Sequence, residues 1–154
     1  VTEEWFRLLR SRLKDDGVLM VTVLDLCAGG ELLPSVIRTI QGAFPHVELL
    51  TADKRANHLS NIFLLFASER PLDWPGMRER LSPYLNAALL EPIAADRVGA
   101  YLSGSRSGAL TDAYAPVDLL MAPLIAAQVG NRRPQGEFVN LCGEQPKTAG
   151  AHPE

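Results

Sequence analysis

No apolar run in the sequence approaches the roughly 20 residues needed to cross a bilayer, so no membrane-spanning helix is expected. The first residues, Val1-Thr2-Glu3-Glu4, contain neither a basic nor an apolar segment, and a signal peptide is not expected either. They also lack an initiating Met, which predicts a chain that is processed or cut from a longer one. Positive charge is not in excess: 15 Lys and Arg against 18 Asp and Glu give a net charge of -3. That balance argues against a nucleic-acid partner, which would call for a basic face. The chain has only 2 cysteines and 3 histidines, and neither set has metal-ligand spacing. No metal site is therefore expected, and a reducing cytoplasm fits best. Cys27 adjoins an apolar run and reads as a small hydrophobe, while a disulfide to Cys142 is left open. His46, His58 and His152 read as surface or loop residues. The glycine spacings of the dinucleotide and phosphate loops are missing, and Ala28-Gly29-Gly30 reads only as a flexible connection. No Ser/His/Asp or Cys/His set assembles from neighbouring segments, so no catalytic residue is assigned.

What is present is one domain's worth of chain, 47% hydrophobic and 21% charged, enough to bury a core. Thr2 caps a helix with Glu3 and Glu4 in its first turn, where the helix dipole favours anions. Trp5, Phe6, Leu9 and Leu13 form its apolar stripe, and Gly17 suits its end. Residues 18–24 make a continuous apolar run rather than an alternating one. This predicts a strand buried on both faces, ended by Asp25. A helix over 31–43 follows, with Pro34 in its first turn and Leu33, Val36, Ile37 and Ile40 as its stripe. A strand over 47–52 completes a βαβ unit. The next apolar run, 61–68, follows too short a connection for a parallel crossover, so it runs antiparallel. Slotted between the first two, it gives the order first, third, second.

Short helices are expected over 77–81 and 84–90, and a weaker one over 93–102. Residues 103–108 read as a flexible lead into 109–120, an ordered loop held by Thr111, Asp112 and Pro116. A helix over 119–129, interrupted at Pro123, ends the domain (1–129). Residues 130–154 read as a flexible tail, disordered or loosely docked.

The local words and their order resemble the C-terminal half of spermidine synthase-like proteins. Glu4-Trp5-Phe6-Arg7-Leu8-Leu9 followed by Leu13-Lys14-Asp15-Asp16-Gly17-Val18-Leu19 carries the likeness first. Ala43-Phe44-Pro45-His46-Val47-Glu48-Leu49, residues 61–68, and Leu110-Thr111-Asp112-Ala113-Tyr114-Ala115-Pro116-Val117-Asp118 continue it, over roughly residues 2 to 120. The resemblance implies part of a Rossmann-like, class I S-adenosylmethionine-dependent methyltransferase fold. The strands would be the fifth, sixth and seventh of its sheet, the seventh antiparallel between the others. It implies aminopropyl transfer from decarboxylated S-adenosylmethionine to putrescine. The family's glycine-rich loop, ribose carboxylate and catalytic aspartate belong to its first half, which these residues do not match. No cofactor is therefore expected on this chain, although decarboxylated S-adenosylmethionine or S-adenosylmethionine is implied for a full-length relative. Asp25-Leu26-Cys27-Ala28-Gly29-Gly30 and Asp53-Lys54-Arg55-Ala56-Asn57-His58 stand where the family has its glutamine-serine and Tyr-Pro words.

Three residues are candidate substrate contacts. Asp25 lies at the carboxyl end of a strand, where open α/β sheets bind ligands and where a carboxylate attracts a cationic amine. Its alternative is a loop cap. Asp112 and Tyr114 are candidates for a pocket rim, with a structural latch as the alternative. Three function classes follow: half of an aminopropyl- or methyltransferase-like enzyme, a non-catalytic interaction module, and a free-standing small enzyme at Asp25. The outer edge of the first strand has no neighbour, which predicts a homo-oligomer or a partner chain covering it.

Overall fold

A computed structural model of the 154-residue chain describes residues 1–52, 59–84, 90–130 and 137–143. The described elements run α1 (Glu3–Arg10), β1 (Val18–Leu26), α2 (Leu32–Gln41), β2 (His46–Thr51), β3 (Ser60–Ser68), α3 (Trp74–Leu81), α4 (Ala95–Ser103) and α5 (Val117–Gly130). The fold is mixed α/β. Its sheet has the order β1-β3-β2, with β3 antiparallel to both neighbours, so β1 and β2 run parallel. This is the expected order, and it follows from the same cause: the link from β2 to β3 is too short to carry a chain back to the same end of the sheet.

Asp25 does not end β1. It pairs with Asn61, and Leu26 pairs with Ser60, so the strand carries its carboxylate inside the sheet. α1 is shorter than its stripe suggests. It starts at the Thr2 cap, whose hydroxyl accepts from Trp5 N–H, and stops at Arg10. Phe6 is its buried anchor, whereas Trp5 stays largely exposed. α3 begins earlier than expected because the Asp73 carboxylate accepts from Gly76 N–H and Pro75 suits the first turn. Pro123 lies inside α5 without ending it. Most of the helix expected over 84–90, and the loop from Asp53 to His58, lie outside the described residues.

The strands place alternate residues on opposite faces. Leu19, Val21, Val23, Phe63, Leu65, Ala67, Val47 and Leu49 share one face and form the core with Phe6, Leu33, Val36, Ile37 and Ile40 of α1 and α2. Full burial of such a side chain is worth about 1.5–3 kcal/mol. The other face differs from expectation. Leu26 is covered by Leu124 and Ala127 of α5, and Trp74 meets Phe66 edge-on. Val18, Met20, Leu24 and Ile62 are exposed, Met20 at 56%. The apolar run of β1 is thus buried on one face only. Among the described residues its outer edge is also unpaired. Among the described residues, the buried Glu48 Oε2 and Trp74 Nε1 have no hydrogen-bond partner, and both residues lie beside Phe66 on this same side.

Candidate functional site

The carboxyl end of β1 is built around Asp25. The side chain is fully buried. Its Oδ1 accepts from Leu26 N–H at 2.8 Å, and its Oδ2 accepts from Leu33 N–H at 2.7 Å. Glu31, at the N-cap position of α2, makes no side-chain cap. Asp25 caps that helix instead, reaching across from the strand. Burial pushes its pKa up to about 6; the backbone donors of Leu33, Leu26 and Leu32 pull the other way, and nearby Glu31 adds a smaller push upward. The glycines make room for this arrangement. Gly29 adopts a φ of 70°, in the left-handed region. A Cβ on Gly30 would stand 2.5 Å from Asp25 Oδ2. Tyr101 of α4 is buried above, its hydroxyl 3.5 Å from the carbonyls of Leu26 and Gly30, and burial raises its pKa.

Residues 103–108 are not a loose lead. Arg38 donates to the carbonyls of Leu102 (2.7 Å), Ser105 (3.3 Å) and Ser107. Glu31 Oε2 accepts from the Ser105 hydroxyl at 2.6 Å and from Ser107 N–H at 3.2 Å. The Ser35 hydroxyl donates to the Gly108 carbonyl. The glycines and serines make the segment compact enough for α2 to bind its backbone, so low side-chain bulk here means close docking.

The loop that follows is fastened elsewhere. Leu110 N–H donates to Thr39 Oγ1 at 2.8 Å, and Glu3 N–H donates to the Leu110 carbonyl at 2.8 Å. The Thr2 hydroxyl donates to the Asp112 carboxylate, and Asp112 N–H donates to Glu4. Thr111 and Tyr114 exchange both backbone bonds at 3.0 Å, closing a tight turn that leaves the Tyr114 ring exposed. Thr39 lies roughly 9 Å further along α2 than Leu33 at the usual helical rise. Asp112 and Tyr114 are therefore anchored near the start of α1 and do not converge with Asp25. The geometry of 109–118 is that of a latch joining α1 to α2.

Residues 137–143, within the stretch expected to be a flexible tail, are docked. Cys142 is disulfide-bonded to Cys27, so Cys27 is not merely a small hydrophobe. Leu141 N–H donates to the Cys27 carbonyl at 2.9 Å, and Arg97 donates to the Asn140 carbonyl, its Nε at 3.0 Å. His58 and His152 lie outside the described residues, and His46 is half-buried in β2.

The space at this end is divided. The crevice lined by Gly30, Glu31, Tyr101 and Phe138 holds only about 10 Å³, too little for an amine. A larger cavity of about 410 Å³ lies between Thr51, Ile93, Arg97 and Cys142. An open cleft of about 700 Å³ at the other end is lined by Arg7, Arg10, Lys14 and Arg70. There Arg7 is paired with Glu3, while Arg10 is paired with Glu69, whose carboxyl it holds below the usual range. Among the described residues no His/Cys/Asp/Glu group could hold a metal ion, and no helix is long and apolar enough to cross a membrane. Sequence reasoning missed Tyr101, Arg38 and Glu31 as members of the Asp25 end. Their partners are backbone carbonyls or serines far along the chain, and no spacing encodes such contacts. The sequence matches no protein-family model and no curated protein.

Proposed function

We propose that the chain is the C-terminal half of a spermidine synthase-like transferase domain of the Rossmann-like methyltransferase type, inactive until a cofactor-binding half joins it. One observation carries the reading. A β-α-β unit with an antiparallel strand between its two parallel ones ends in an edge strand whose apolar outer face is uncovered. A further strand beside β1 and a helical layer over Met20, Leu24 and Ile62 would complete such a domain. The reaction class is aminopropyl transfer from decarboxylated S-adenosylmethionine to a polyamine, with methyl transfer from S-adenosylmethionine the nearest variant. Asp25 organises the carboxyl end of β1 from within. Contact between it and a cationic amine would require that end to open. Asp112 and Tyr114 belong to the latch, both exposed, with the Asp112 carboxylate tied to the Thr2 hydroxyl and the Tyr114 ring open to a substrate.

The same edge supports a second reading, in which the chain is a non-catalytic module that pairs through β1. An open apolar edge is a template for another chain, and this one is not blunted by lysine or proline. Calorimetry with methylthioadenosine tests the first reading. The 154-residue chain alone is expected to show no binding, and tight one-to-one binding would overturn the claim that the nucleotide site lies in another segment.

A further inference from the structure

We propose that the Cys27–Cys142 disulfide is a reversible fastening that holds residues 137–143 as a strap over the carboxyl end of the sheet, and that its reduction releases the strap and opens that end. This inference does not rest on the transferase reading.

Position comes first. Cys27 directly follows β1, and its N–H donates to Leu59 just before β3. The bond therefore sits where the carboxyl ends of the parallel strands point, the side on which α/β sheets present their ligands. The strap crosses this end with Leu141 and Cys142 buried and Val139 packed on the core. Leu141 and Cys142 also form one wall of the cavity whose other walls are Thr51, Ile93 and Arg97. Removing the strap would widen that cavity towards the Tyr101–Asp25 cluster, because the neighbouring crevice is lined by Phe138 and Val139 of the same segment.

Among the described residues the strap's other attachments are non-covalent: the Leu141 N–H to Cys27 carbonyl bond, the Arg97 clamp on the Asn140 carbonyl, the Asn61 amide at 3.5 Å from Cys142 Sγ, and the packing of Leu141 and Val139 on the core. The strap lies in neither the sheet nor a helix, and the disulfide is its covalent tie to the end of β1. Reduction needs a dithiol. One thiolate attacks a sulfur of the pair and releases the other cysteine as a thiolate. The second thiolate then displaces the first cysteine and closes the reductant's own disulfide. The chain gains two electrons and two protons, and the dithiol loses them.

The test uses backbone NMR order parameters of the whole chain with and without dithiothreitol, alongside thiol titration in denaturant. Oxidised protein should show no free thiol and rigid amides over 139–142, with order parameters near 0.85. Reduced protein should show both thiols and order parameters below about 0.6 in that segment, with β1 and β3 unchanged. Cys142→Ser and Cys27→Ser should reproduce the loosened strap without reductant. The proposal is overturned if the air-oxidised chain still titrates both thiols. It is equally overturned if the strap stays rigid after reduction, or if reduction unfolds the sheet along with it.

Discussion

Replacing Gly30 with alanine is the sharpest probe of how the carboxyl end of β1 is built. The new Cβ would lie 2.5 Å from Asp25 Oδ2 and 2.6 Å from Cγ and Oδ1. To reach ordinary contact the carboxylate must retreat by roughly 1 Å, which stretches bonds now at 2.7 and 2.8 Å beyond useful length. Hydrogen bonds to a charged acceptor contribute about 1.5–3 kcal/mol each, so losing one fully and weakening the other costs about 2–4 kcal/mol. The cycle is completed with Asp25→Ala. Once the carboxylate is gone, the methyl group has room, and Gly30→Ala should then cost less than about 0.5 kcal/mol or even stabilise by limiting the unfolded chain. Urea unfolding of the four proteins at neutral pH gives the coupling energy, expected at about 2–4 kcal/mol. Strict additivity would mean that Gly30 and the Asp25 carboxylate do not share the space described.

Other consequences follow from the same cluster. The Asp25 pKa is raised from 3.8 to about 6, so burial of the ionised carboxylate opposes folding. The protonated group's contribution to stability is complete only below about pH 3 and is lost progressively as pH rises from the unfolded value through about 6, a change of about 3 kcal/mol. Asp25→Asn should remove this fall between about pH 3 and 7, seen as the difference between the wild-type and variant urea midpoints. A parallel fall in both proteins would contradict the assignment. Arg38→Ala strips three carbonyls of their donor and should cost about 2–3 kcal/mol in thermal or urea unfolding, with faster proteolysis within 103–108. An effect below about 0.5 kcal/mol would show that the segment is held by something else.

Much of this arrangement was legible because it is written in periodicity and loop length. The apolar runs at 18–24 and 61–68, the helical stripe of Leu33, Val36, Ile37 and Ile40, and the short joint before β3 together dictate the order β1-β3-β2. The exposure of one face of β1 is not legible in its sequence. A continuous apolar run records what a strand is suited to meet, whereas burial depends on which neighbours are present. The Asp25 end was half legible. Its place at the end of a strand drew attention, but its role as a cap for α2 depends on Leu33 folding back beneath it. The close docking of residues 103–108 and 137–143 is not legible in their composition, for one reason. Small and polar composition signals freedom only if no other element binds the backbone, and Arg38, Glu31, Arg97 and Cys27 do so from far along the chain.

In the proposed reading, the β1 edge and the face carrying Met20, Leu24 and Ile62 await another segment. Sedimentation velocity of the 154-residue chain, alone and as Met20→Glu, measures this most directly. The wild type should associate in a concentration-dependent way, and the charged substitution should weaken that association. A monodisperse species of 16.8 kDa at all concentrations would contradict it.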